Sequence, residues 1–140
     1  MNQYRFKRSF SEDPTLSQRF FHLLETVFPG VSRTVETARM LGAPWEAAST
    51  PFICFHDDVA IAHVGVLEIP MQLMRQTVTV GGIHAVCTHP EFRRRGYYCE
   101  VMEEVLDYCA NRAEGEQFML PRSAAAELRG EAIALTTIHV

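Results

Sequence analysis

The stretch that decides the fold is Thr88-His89-Pro90-Glu91-Phe92-Arg93-Arg94-Arg95-Gly96-Tyr97-Tyr98. An extended run stops at a proline, three arginines follow in a row, and a glycine opens what reads as a helix. Main-chain N–H groups in the first turn of a helix have no intrahelical acceptor and point outward. The macrodipole adds partial positive charge at the same place. Together they favour an anion, most simply a phosphate. Gly96 lets such a group approach where a Cβ would obstruct it, and arginines add charge-assisted hydrogen bonds. A solvated basic turn ahead of a helix is the alternative reading of the same residues.

Upstream of this loop, Gln76 to Thr88 is one long extended segment. Its Gly81-Gly82 pair predicts a bulge or a close backbone approach. Downstream, Tyr98, Val101, Met102, Val105, Leu106 and Cys109 recur on one side of a helix from about Arg95 to Arg112. Glu100, Glu103, Glu104 and Asp107 form its solvated face. Further out, Gln3 to Phe10 reads as a first strand. Asp13-Pro14 is an N-cap followed by a first-turn proline, and Leu16, Phe20, Leu23, Leu24, Val27 and Phe28 give the helix it opens. Pro29-Gly30 ends that helix. Ser32 is expected to cap a second, with Val35, Ala38 and Leu41 inward and Gly42 at its end. Phe52 to His56 and Val59 to Leu67 form a hairpin around His56-Asp57-Asp58, and Glu68 to Gln76 is less regular, read either as part of a strand or as a loop. After Gly115, Gln117 to Leu120 reads as a short buried strand, Ser123 to Arg129 as a helix and Ile133 to Val140 as a last strand. The order is that of one mixed α/β domain over residues 1–140.

Composition narrows the function classes. The 140 residues carry a net charge of −4, with 47% hydrophobic and 21% charged residues. A general nucleic-acid binder needs a basic surface, so that class is excluded as an expectation. The apolar runs fall short of the roughly 20 residues that cross a bilayer. No apolar run follows Arg5, Lys7 and Arg8, so no signal peptide is expected, and a cytoplasmic protein without membrane contact is. Cys54, Cys87, Cys99 and Cys109 lack CxxC spacing and read as free thiols. The six histidines give no zinc spacing, so no metal is expected.

The loop resembles the acetyl-CoA motif of the GNAT N-acetyltransferases, Gln/Arg-x-x-Gly-x-Gly/Ala. Arg93 stands at its first position, Gly96 at its glycine, and Tyr98 where the family has Gly or Ala. That departure is similar to the Eis-like branch, as is Val80-Gly81-Gly82-Ile83 followed by Thr88 to Arg93. The likeness is strongest over residues 76–112, and it implies an α/β (α+β) fold with a mixed, mostly antiparallel sheet flanked by helices. It implies acetyl-CoA as co-substrate and direct acetyl transfer to an amine of a small molecule or protein. It implies main-chain contacts to pantetheine from Val86, Cys87 and Thr88. It further implies a pyrophosphate held by Arg93 and the amides of Arg94, Arg95, Gly96, Tyr97 and Tyr98, with Cys99 at the edge.

His84 is the candidate base. Period-two alternation sets it on the face of Gly82 and Val86, and an imidazole suits amine deprotonation. A histidine packed on the sheet is the competing reading. His89 reads as a loop residue, Glu68 as a rim carboxylate, Cys87 as a small core residue, and Trp45 as closing the core. GNAT domains usually carry a catalytic tyrosine late in the chain, and none follows Leu120 here. A naturally short protein, a sheet completed by a partner and a degraded relative all fit that tail. A homodimer through an exposed sheet edge is expected. A degenerate GNAT module that binds CoA or protein is the alternative function.

Overall fold

The computed structural model describes residues 2–6, 13–115 and 118–119. Five strands lie in the sheet order β1 (Asn2–Phe6), β2 (Ser49–His56), β3 (Val59–Leu73), β4 (Gln76–Thr88) and β5 (Phe118–Met119). β1 to β4 are antiparallel neighbours, and β5 runs parallel to β4. A parallel return needs a crossover, which α4 (Tyr97–Gly115) supplies. Two further helices, α1 (Pro14–Val27) and α2 (Val31–Met40), and the single turn α3 (Trp45–Ala48) lie between β1 and β2.

The sheet is buried on both faces. Phe52, Cys54, Ile61, Ala62, Val64 and Val66 meet Val101, Met102, Val105 and Cys109 of α4. On the other face Ile53, Phe55, Ala60 and Cys87 meet Leu16, Phe20, Leu23 and Leu24 of α1. Alternation along the strands sorts the side chains between the two layers.

Several local expectations hold. The Asp13 carboxylate accepts from the Leu16 N–H at 3.0 Å, with Pro14 in the first turn of α1. Asp57 takes a left-handed φ of 51° in the β2–β3 turn. The β4 boundaries, Gln76–Thr88, match the expected extended segment.

Others are corrected. Ser32 does not cap α2. The Glu25 carboxylate of α1 reaches across and accepts from the Gly30 and Ser32 N–H groups at 2.6 and 3.0 Å. Val35 is buried, but Leu41 is 81% exposed, because α2 ends before its last turn can close on the core. Of the two readings of Glu68 to Gln76 the strand holds: β3 runs past Leu67 to Leu73, and the chain reverses through Met74 and Arg75 with φ of 48° and 68°. That is a two-residue turn without the Asn-Gly signal that normally marks one. The bulge in β4 is not at Gly81-Gly82, which pair regularly with Glu68 and Leu67. It lies at Ala85, with φ +47°, where His63 pairs with Cys87 but Gly65 pairs with His84. α4 begins at Tyr97 rather than Arg95, because Arg94 and Gly96 are both left-handed and cannot be helical. The expected helix at Ser123–Arg129 and strand at Ile133–Val140 lie outside the described residues.

Candidate functional site

The loop between β4 and α4 is pinned at its upstream end. The His89 N–H donates to the Ile61 carbonyl at 2.7 Å, and the Phe92 N–H to the His89 carbonyl at 2.9 Å. The His89 ring accepts from the Glu91 N–H at 3.3 Å, the structural part expected of it. Arg93 folds back so that its Nε donates to the Thr88 carbonyl at 3.2 Å. Arg95 lies over the Phe92 ring, 5.5 Å from its centroid.

The next amides are different. Among the described residues, no acceptor takes a hydrogen bond from the N–H groups of Arg94, Arg95, Gly96, Tyr97 or Tyr98. Donation resumes at Cys99, whose N–H reaches the Gly96 carbonyl at 3.0 Å, so the Cys99 amide is already engaged. Gly96 has φ +84°, and a Cβ there would meet nothing within 4 Å. The left-handed turns at Arg94 and Gly96 and the open space beside them make a concave row of five donors. Arg93, Arg94 and Arg95 are all exposed around it. Tyr97 and Tyr98 are half-buried and pack against the α4 core, and burial raises the Tyr98 phenol above its usual range.

β4 leads straight into this row. β5 pairs only with Thr79 and Val80, so from Gly81 to Thr88 the outer edge of β4 has no strand partner among the described residues. Main-chain groups of Val86, Cys87 and Thr88 lie on that stretch. The Cys87 side chain belongs to the α1 layer, and burial pushes its thiol up to about 12, so it is no thiolate at neutral pH.

His84 is not where simple alternation puts it relative to Val86. Ile83 and Val86 pack on the α4 side, whereas Ala85 and Cys87 pack on the α1 side. The extra residue of the bulge switches the parity. His84 lies on the α1 side, its ring 5.3 Å from that of Trp45 and 6.3 Å from that of His63. Its Nε2 is 2.8 Å from the Ser49 Oγ, and Ser49 is itself buried. A Cβ on Gly65 would fall on the His84 ring, so that glycine makes room for it. Desolvation lowers the imidazole from its ordinary 6.5 to about 4, leaving it neutral at pH 7. Glu68 is on the other layer, where its Oε1 accepts from the Tyr108 hydroxyl at 3.3 Å. His84 and Glu68 are therefore not brought together.

Ser49, His63 and Gly65 escaped the reading of the sequence. Gly65 was the available signal, because an isolated glycine inside a β-branched run marks a close approach.

The sheet order, antiparallel from β1 to β4 with α4 crossing over to a parallel β5, defines a mixed α/β fold with helices on both faces of the sheet. The family profile of the acetyltransferase (GNAT) domain matches residues 13–127, and the chain belongs to that family. The match is to the GNAT domain as a whole and does not select the Eis-like branch. Among solved structures, glucosamine-6-phosphate N-acetyltransferase from Arabidopsis thaliana superposes with a TM-score of 0.60 at 16% identity, covering 100% of this chain and 97% of that one. A predicted acetyltransferase from Clostridium acetobutylicum with acetyl-CoA gives a TM-score of 0.60 at 16% identity, covering 100% and 96%. A probable N-acyltransferase from Enterococcus faecalis gives 0.65 at 16% identity, and there this chain spans only 27% of the other. No curated protein matches the chain by sequence. Among the described residues, no helix is long and apolar enough to cross a membrane.

Proposed function

We propose that the chain is an acetyl-CoA-dependent N-acetyltransferase acting on a primary amine. The observation that carries this reading is the row of amides from Arg94 to Tyr98 at the start of α4, which have no acceptor among the described residues. N–H groups at a helix start have no intrahelical acceptor and point outward, so five consecutive donors around an open glycine, under three exposed arginines, suit an anionic ligand. A diphosphate offers that many acceptor oxygens. Arg94 and Arg95 add charge to it, and Arg93 braces the loop against Thr88. The free edge of β4 from Val86 to Thr88 offers main-chain groups to an extended arm, as a strand does to a peptide.

Acetyl-CoA brings the activated acyl group. The chain's part is to hold the thioester and the amine in line and to accept the ammonium proton. His84 is assigned the proton-accepting role, with its ring held by Ser49 and Trp45. The fold neighbours named for glucosamine-6-phosphate and for an acetyl-CoA complex support the transfer chemistry as a class. Among the described residues β1 ends the sheet with β2 as its neighbour, and that edge is the one through which a second copy would pair.

The test is thiol release from acetyl-CoA across a panel of amines, with CoA affinity measured by calorimetry. R94E/R95E is expected to weaken CoA binding at least tenfold while leaving the fold intact, since both side chains are exposed. CoA binding without turnover on any amine would favour the degenerate module instead. Unchanged affinity in R94E/R95E would remove the phosphate site.

A further inference from the structure

His63 is buried to 0% exposure on β3, the strand beside the cofactor edge rather than on it. Its Nδ1 is 2.8 Å from the carbonyl of Ala85. A carbonyl can only accept, so Nδ1 carries the proton, and the neutral ring leaves Nε2 as a bare acceptor. That Nε2 is buried and has no partner among the described residues. A phenylalanine would fill the same space against Phe20, whose ring is 4.5 Å away, without an orphaned acceptor. The donor side of the imidazole is what distinguishes the residue from a hydrocarbon.

The acceptor is the strained residue of the sheet. Ala85 holds φ +47° with a Cβ in place, and such a conformation persists only where its surroundings impose it. His63 fixes the Ala85 carbonyl from within the core, at the point where the register shifts between the His63–Cys87 and Gly65–His84 pairs. The bulge so held changes which layer Val86 faces relative to His84. It thereby sets which main-chain groups of Val86, Cys87 and Thr88 point along the open edge.

We infer that His63 is a positioning residue: through its hydrogen bond to Ala85 it holds the bulge in β4 and so aims the main-chain groups of Val86 to Thr88 at the pantetheine arm of the co-substrate. This rests on the cofactor reading proposed above and adds to it a residue outside the site.

The test separates the two ends of the ligand. CoA and 3′-phospho-ADP, which carries the pyrophosphate without pantetheine, are titrated against wild type, H63F, H63N and H63F/A85G. Asparagine places a side-chain N–H near the position of Nδ1, and glycine accepts a positive φ at little cost. H63F is expected to weaken CoA about tenfold and leave 3′-phospho-ADP within about twofold. H63N and H63F/A85G are expected to restore most of the CoA affinity. Should H63F not fold, H63N is compared with H63Q, whose donor lies near Nε2, and only H63Q is expected to lose the CoA preference. Equal losses for both ligands, or no loss in either donor-deficient variant, overturn the inference while leaving the cofactor site standing. Wild type that binds neither ligand removes the cofactor site and the inference with it.

Discussion

At the scale of the residue, the candidate site depends on which polar groups are paired. Phe92 and Cys99 spend their N–H groups on the loop's own carbonyls and His89 spends its on Ile61 of β3, whereas those of Arg94 to Tyr98 meet no acceptor among the described residues. Gly96 was readable in the sequence because a glycine between arginines and a helix has a single geometric use. Ser49 was not, since nothing along the chain ties it to His84, 35 positions away. Replacing His84 by Ala removes a ring packed on Trp45 and leaves the Ser49 hydroxyl without that partner. A loss of about 2–3 kcal/mol in chemical denaturation is expected. Turnover should fall by about a hundredfold with CoA affinity kept, if the imidazole accepts the proton. Because burial holds it near 4, the acidic limb of kcat against pH should bend there rather than at 6.5. Wild-type turnover in H84A would strike it from the mechanism.

Elements show where local signals are sufficient and where they are not. α1 was legible from Asp13-Pro14 and a run of apolar residues at helical spacing, all of it local. The start of α2 was not, because its cap is the Glu25 carboxylate of the preceding helix, whose acidity is lowered by the Ser32 and Gly30 N–H groups it accepts. The β3–β4 turn was missed for a different reason. Met74 and Arg75 both adopt positive φ, which non-glycine residues resist, so no turn chemistry announced it. The long antiparallel pairing from Ile69–Val80 to Leu73–Gln76 imposes the turn from outside. M74N/R75G should relieve that strain and raise stability by about 1 kcal/mol, read as a higher melting temperature. Met74 is 93% exposed, so no core packing is lost. A lower melting temperature would mean the turn differs from the one described.

For the whole molecule, a buried His63 and a half-buried His84, both held neutral by desolvation, make stability depend on pH. Desolvation lowers His63 to about 3 and His84 to about 4 from 6.5. In the unfolded chain both take up protons as pH falls through 6.5, and in the folded chain neither does until much lower. The unfolded state therefore binds more protons, and stability is fully present above 6.5 and lost as pH falls toward 4 and 3. Between pH 7 and 5, before most carboxylates titrate, each should contribute a loss on the order of 2 kcal/mol, seen as a falling melting temperature. A flat profile over that range would contradict their burial. The sequence by itself determined the family, the order of the strands and long helices from β1 to β5 and the loop from which α4 opens, because these follow from local patterns of polarity, proline and glycine. Only the tertiary structure decided where β4 bulges, which layer His84 occupies and what its ring touches. Those outcomes come from side chains packed across strands, where a Gly65 without a Cβ and a buried His63 donor outweigh the preference of Ala85 for ordinary extended backbone.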